Sequence, residues 1–541
     1  MAQPYQSAVS RSVRPRFLWL SDRARSMGIH IMAGKGSGKS RLMGRVIAWL
    51  DFLRGIPLVI FDPHGPTIDN FLDKIVRLPK ELQEQAWQRV IYVDMSGSTS
   101  CVIPFPLYYR LGQEGLYEIS QRYLDIVRKL DPNLQTASVE GWSPLWRIGT
   151  SAGMVLAALG FQITEAENLV RNPLAWERYF AAALDIHPEV SPAVAFFQDY
   201  AAWKDETQSR RSDSFLNKVA LFTFDPSMKA LFGASTPGID WGHVVNERLA
   251  VLLDFRHEHD IERRRFKMVW AFNYFLNFIK HRGAGRHRPV SLIIDELTSL
   301  FSVQTLSTDL FASDLDDLIN VIARNYMVWL AIVHQELFQL DERARKTLMA
   351  MGTQILGVTS DRDAALTLAR EFFRFDPAWV KKSEPVYSAS HGVSNIIDYR
   401  TVEFAIEEQT LLRSYAVSGQ GRFHFLVRPA PGEGDATGVL RPVTLRNFDR
   451  GLYPDEQLVA QARLQLMERH ARRVGDILEE IDARLSPRAT FRHPSGAGTI
   501  SPPDSDAFVR MKTDGYPSDD DDPAEFGEKK TAAQPEPRPG E

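Results

Sequence analysis

Short apolar runs alternate with amphipathic stretches along much of the chain. Ile29-His30-Ile31-Met32 leads into a glycine-rich turn and then Arg41 to Trp49, a strand–loop–helix pattern. Ile56 to Asp62 is a second buried run, closed by the turn Pro63-His64-Gly65-Pro66 and followed by a helix from about Ile68 to Leu78. Arg89 to Asp94 predicts a third strand. These runs are continuously apolar and separated by helices, which predicts a mainly parallel sheet covered on both faces.

The spacing then changes. From Gly115 to about Phe232, apolar residues recur every three to four positions, punctuated by Pro144, Pro173, Pro188 and Pro192. This predicts an inserted all-helical unit, with Trp142, Trp146, Trp176 and Phe196 in its core. Strand patterns return at Arg248 to Asp254, Val290 to Asp295, Val328 to Val333, Gln354 to Thr359 and Phe423 to Val427. Helices are expected from Glu262 to His281, Asp309 to Arg324 and Asp361 to Phe373. Polar Ser383 to Tyr399 reads as loop, and Pro454 to Leu485 as one terminal helix. The Pro, Ser, Asp and Gly-rich tail from Ser486 is expected to be disordered.

Composition narrows the class. At 541 residues and 44% hydrophobic, the chain is not disordered as a whole. A single cysteine, Cys101, excludes an internal disulfide framework and a cysteine-built zinc site, and fits a cytoplasmic setting. The net charge of -4 belongs to the tail, where 11 acids face 7 bases, so residues 1–485 are balanced. That excludes a wholly basic nucleic-acid coat and leaves a local basic channel open. The apolar stretch Ala152 to Phe161 is about half the ~20 residues that span a bilayer. Any membrane contact is therefore expected through a partner.

Ala33-Gly34-Lys35-Gly36-Ser37-Gly38-Lys39-Ser40 is a Walker A loop with Ala33 in place of the first glycine. Its glycines let several N–H groups converge on one phosphate, and the helix that follows directs its positive end there. Lys39 is expected on the β and γ phosphates and Ser40 on Mg²⁺, with Arg41 completing the nucleotide-binding run of ATP. Ser291-Leu292-Ile293-Ile294-Asp295-Glu296 places two acids at the carboxyl end of a buried strand. Asp295 is assigned to Mg²⁺ and Glu296 to water activation; the pair with the P-loop argues for hydrolysis. Gln335 ends the next strand and is readable as a γ-phosphate sensor or as an ordinary strand-end polar residue. Arg324 is readable as an arginine finger or as a solvated helix C-terminal residue.

These features together resemble the HerA/FtsK superfamily of ring-forming DNA-pumping ATPases. Within it the likeness is to the coupling ATPases of conjugation and type IV secretion (TraG/TraD/VirD4-like). It is carried by the P-loop, by Phe61-Asp62-Pro63-His64-Gly65 and by a helical insertion between the Walker motifs. Ala323-Arg324-Asn325-Tyr326 ahead of His334-Gln335, and Gly352-Thr353-Gln354-Ile355 with Asp361 to Glu371, complete it. The match spans roughly Ile29 to Val427. It implies a RecA-like motor that translocates or recruits DNA, assembles as a hexameric ring, uses Arg324 in trans and reads the γ phosphate with Gln335. It also implies a relaxase, secretion-channel or nuclease partner. Two departures stand out: no N-terminal membrane helices, and Ala33.

The implied division is an arm (1–28), motor parts at 29–110 and 236–430, a helical domain at 111–235, an extension at 431–485 and the tail. DNA contacts are open to Arg263 to Lys267, to Lys280 to Arg288, and to Arg11, Arg14, Arg16, Arg23 and Arg25; each is equally a solvated charged surface. A nucleotide-controlled recruitment module for a protein partner, and a HerA-like motor paired with a nuclease, are the alternatives.

Overall fold

The computed structural model describes residues 21–485 except 98–99, 113, 132–133, 135–138, 286, 301–314, 336–341, 360, 374–375, 377–378, 391–392, 432–440 and 446–451. In chain order the strands are β1 (Ile29–Met32), β2 (Leu58–Asp62), β3 (Val90–Asp94), β4 (Cys101–Val102), β5 (Ala250–Asp254), β6 (Val290–Ile294) and β7 (Val328–His334). They continue with β8 (Thr353–Leu356), β9 (Val380–Ser390), β10 (Val393–Glu403), β11 (His424–Arg428), β12 (Arg441–Thr444) and β13 (Arg472–Arg473).

Nine of them form one sheet in the order β12-β11-β8-β1-β7-β6-β2-β5-β3. From β8 to β3 every pairing is parallel; β11 runs antiparallel to β8 and to β12. The expected α/β class, with a mainly parallel sheet, is therefore present. β1 and β2 follow each other in sequence but are separated by β7 and β6. That reversal opens a crevice at the carboxyl ends of the strands, the place where open α/β sheets bind ligands.

Strand residues are buried on both faces, and alternation sends them to two cores. Leu58 and Ile60 join Ile47, Phe52, Phe71 and Leu466 on one side. Val59 and Phe61 join Phe255, Phe272 and the helical insertion on the other. Between Leu116 and β5 the described regular structure is all helical, including Leu116–Leu130, Val139–Leu159, Asp205–Phe224 and Pro226–Gly233. Its core runs without a break into that of the sheet, through the helix Ile261–His281. Trp176 and Phe196 are buried as expected, and Trp146 packs partly buried. The Trp142 side chain lies outside the described residues.

Two expectations are corrected. Ser383 to Tyr399 is not loop: β9 and β10 pair antiparallel as a ribbon. Many of its described residues, Lys382, Glu384, Ile396 and Tyr399 among them, are exposed, so no buried face imprints alternation on the sequence. The terminal helix is two helices, Glu456–His470 and Val474–Arg484. Between them Arg472 and Arg473 pair with β4, which lets the second helix bury Ile477 and Ile481 against Val102, Ala230 and Ala234. The pattern also misses the helices Lys80–Trp87 and Ile406–Ser418 and strand β12. Residues 309–314 of the helix expected at Asp309 to Arg324, and the tail, lie outside the described residues. Among those described, no helix is long and apolar enough to cross a membrane.

Candidate active site

The site is built where β1, β6 and β7 end. Beyond Met32 the loop Ala33–Ser40 turns through Gly36 (φ 80°) and Gly38 (φ 98°), conformations that suit glycine. A helix then runs from Lys39 to Leu53, with Leu42–Ala48 wound as a π-helix. The N–H groups of Lys35, Gly36, Gly38, Lys39 and Ser40 have no acceptor among the described residues. Such a cluster of unpaired donors at a helix start is an anion cradle. Ser37, 1% exposed, has a buried hydroxyl without a hydrogen-bond partner, a further polar atom left for a ligand. Gly44 lets this helix lie close to the helix Pro66–Val76; a Cβ there would stand 2.3 Å from the Thr67 carbonyl oxygen.

Asp295 follows β6 and meets the loop directly. Its Oδ2 accepts from the Thr67 hydroxyl at 2.6 Å and lies 3.5 Å from the Ser40 hydroxyl. Oδ1 is buried without a hydrogen-bond partner. Burial pushes this carboxyl upward, while Thr67 and Lys39 pull it back. An orphaned carboxylate oxygen beside a serine hydroxyl is an oxygen-rich donor set, the kind a hard divalent cation takes. The residues present therefore fit Mg²⁺.

Glu296, the next residue, has φ 64°. Its Oε2 accepts from the Gln335 side-chain amide at 2.5 Å and its Oε1 from the Thr298 hydroxyl at 2.7 Å. Gln335 follows directly on β7, the strand between β1 and β6, so the sheet order itself brings it to Glu296. Below it, His334 and His30 meet at 2.8 Å between Nε2 atoms, and His30 Nδ1 meets Gln354 Oε1 at 2.7 Å.

The turn after β2 closes one wall. Asp62 accepts four backbone N–H bonds, from His64 (3.0 Å), Gly65 (2.6 Å), Thr67 (2.8 Å) and Ile68 (3.0 Å). Burial, then neighbouring Asp295 and Asp254, push its carboxyl up to about 8, against the pull of those donors. Asp62 thus shapes the turn. Exposed His64 stands near Arg264, Glu296, Asp295 and Lys39; partial burial, then Arg264, lowers its pKa. Gly65 is required because a side chain would meet the guanidinium of Arg256, which spans Asp254 and Asp69.

Of the residues expected from sequence, Ser40, Asp295, Glu296 and Gln335 converge. Ala33, Gly34 and Gly36 form the loop backbone, and Lys35 is exposed on it. Arg324 is exposed in the last turn of the helix that runs through Asp317–Ile322 and Ala323–Asn325 ahead of β7. Arg41 is buried, with its guanidinium over the rings of Phe423 and Tyr453. Thr67 and Thr298 were not anticipated; Thr67 carries a signal only as the hydroxyl residue two places after Gly65. Several basic candidates for DNA contact are used internally. Arg25 pairs with Asp51 at 2.5 Å, Arg263 with Asp225, and fully buried Lys267 with Glu258 at 2.7 Å. Arg11, Arg14 and Arg16 lie outside the described residues.

No family model matches the chain, and no curated protein matches it. Among solved structures it is similar to the bacterial conjugative coupling protein TrwB in its unbound monoclinic form. There the TM-score is 0.46 at 13% identity, covering 82% of this chain and 92% of that one. TrwB in complex with ADP and Mg²⁺ gives 0.45 at 13% identity, covering 85% and 95%. VirB4 of Thermoanaerobacter pseudethanolicus gives 0.44 at 13% identity, covering 77% and 88%. At these values the likeness carries no weight for function; the site's own geometry does.

Proposed function

We propose that this protein is a Mg²⁺-dependent ATPase motor that moves or recruits DNA, working as a ring, with the motor at 29–110 and 236–430. The observation that carries the hydrolytic reading is the pairing of two differently engaged acids. Asp295 keeps one oxygen unpaired beside Ser40, and Glu296 is held by Gln335 and Thr298. A binding-only site has no need of the second acid.

The unpaired N–H groups from Lys35 to Ser40 bind the phosphates, and Lys39 adds charge to them. Ser40 and Asp295 would hold Mg²⁺, which when bound supplies positive charge to the phosphate oxygens. Glu296 orients the attacking water and takes its proton on a carboxylate oxygen. Gln335, bonded to Glu296, is placed to change partner with the state of the γ phosphate. Arg324, exposed and outside this cluster, is assigned to the neighbouring subunit's nucleotide.

DNA as the cargo rests on the resemblance of the motif set. It is tested by ATP turnover with and without single- and double-stranded DNA across a salt series. DNA should stimulate turnover, with the effect falling as salt rises. Turnover indifferent to every nucleic acid would leave the recruitment-module reading in its place.

A further inference from the structure

Phe423, Arg41 and Tyr453 form a stack beside the P-loop that the phosphate chemistry leaves unused. Phe423 precedes β11 with φ 67°, a left-handed backbone that is unfavourable for a non-glycine residue. Strain of this kind persists where surrounding contacts enforce it, and it gathers at ligand sites. Here the enforcing contacts belong to the P-loop. The Phe423 N–H donates to the Ser37 carbonyl at 2.8 Å, and its ring lies over Gly38, where a Cβ would stand 2.3 Å from a ring carbon.

Arg41 directly follows Ser40. Its guanidinium lies 5.1 Å from the Phe423 ring centre and 4.2 Å from that of Tyr453. Arg41 is 5% exposed, whereas Tyr453 is 63% exposed. The Tyr453 ring is therefore backed on one side by a fixed cation and remains open to solvent. Its backbone is anchored beside the P-loop helix. Arg77 donates to the Tyr453 carbonyl at 3.0 Å, and Asp455 N–H donates to Asp73, itself buried against Arg45.

We propose that this stack is the platform for the base of the nucleotide, with Tyr453 as the stacking face and Arg41 and Phe423 as its support. The proposal rests on the P-loop being a nucleotide site. With phosphates in the loop, a base must settle within about one nucleoside length of it. Arg41, the residue after Ser40, links the Phe423 ring that lies on Gly38 to the exposed ring of Tyr453. Stacking on an aromatic ring is sequence-tolerant because every base has a π-face. The platform should accordingly discriminate little between adenine and guanine.

The test is equilibrium binding of ADP, GDP and inorganic pyrophosphate to the full chain and to Tyr453→Ala and Tyr453→Phe. Tyr453 is exposed, so neither change threatens the core. Loss of a stacked base weakens binding by roughly tenfold, about 1.4 kcal/mol and inside the range that base–aromatic stacking contributes. Tyr453→Ala should weaken ADP and GDP alike by about tenfold and leave pyrophosphate unchanged, and Tyr453→Phe should restore both nucleotides. Unchanged ADP affinity in Tyr453→Ala, or an equal loss for pyrophosphate, overturns the platform while leaving the phosphate site standing. Failure of the unmodified chain to bind any of the three overturns both.

Discussion

Gln335 donates its side-chain amide to Glu296 at 2.5 Å, and Glu296 holds a backbone φ of 64°. The bond ties the residue after β7 to the residue after β6. A left-handed glutamate is unfavourable by roughly 1–2 kcal/mol, so the position is held by its contacts, with Thr298 on the other oxygen. Glu296→Gln should retain nucleotide binding and lose turnover. Gln335→Ala should lower kcat by about 10²-fold with little change in KM, the size of effect expected from a mispositioned proton acceptor. Steady-state kinetics of the two variants separate these outcomes.

Thr67 supports Asp295 through a 2.6 Å hydrogen bond. Thr67→Val removes the donor and leaves the buried Asp295 Oδ2 with only the 3.5 Å contact to Ser40, a cost of about 1–3 kcal/mol. Turnover titrated against Mg²⁺ should then reach half-maximum at a different Mg²⁺ concentration from the unmodified protein, with Thr67→Ser close to normal. An unchanged Mg²⁺ profile in Thr67→Val would separate Thr67 from the metal.

Gly44→Ala should loosen the contact between the P-loop helix and Pro66–Val76, because the new Cβ falls 2.3 Å from the Thr67 carbonyl oxygen. Overpacking of this kind costs about 1–3 kcal/mol. Chemical denaturation reads the loss, and activity should fall with it, since Thr67 moves.

His30 makes stability depend on pH. The Gln354 amide nitrogen is spent on the carbonyls of Leu348 and Met351, both at 2.9 Å. Gln354 therefore offers its oxygen to His30 Nδ1–H, and His30 Nε2 is left to accept from His334. Burial, with Arg428 adding to it, lowers the His30 pKa from 6.5 to about 4. Between those values the unfolded chain binds the extra proton, so stability falls as pH drops through this window and is unaffected above it. Denaturation at pH 7 and pH 5 should show a loss of about 2 kcal/mol from this group, absent in His30→Gln.

Arg324→Ala and Glu296→Gln should each be inactive alone and recover turnover when mixed. A site with intact Glu296 then receives Arg324 from its neighbour. Mixtures no more active than their components would place Arg324 outside any shared site.

The legible parts of this chain are those where chemistry fixes residue type locally. The run Gly34 to Ser40 must curl around an anion, and Asp295-Glu296 must follow a buried strand. Both stand in the sequence because backbone conformation and burial demand them. Long-range contacts are not so written. Thr67 reaches Asp295 only because β2 and β6 are neighbours, and Tyr453 meets Arg41 more than 400 residues further along the chain. The ribbon β9–β10 left no alternation because much of it faces solvent. Arg25 and Lys267 read as free charge until their partners Asp51 and Glu258 were in place.

The central claim, a hydrolytic nucleotide site, is tested most directly by phosphate release from ATP by the full chain. The comparison is with Mg²⁺ against a chelator, and the unmodified protein against Lys39→Ala. Lys39 is partly exposed, so its loss should leave the fold intact. Mg²⁺-dependent release that falls by about 10²-fold or more in Lys39→Ala is the predicted result. Release at the same rate in the variant, or none from the unmodified protein with Mg²⁺ and DNA present, would contradict the account.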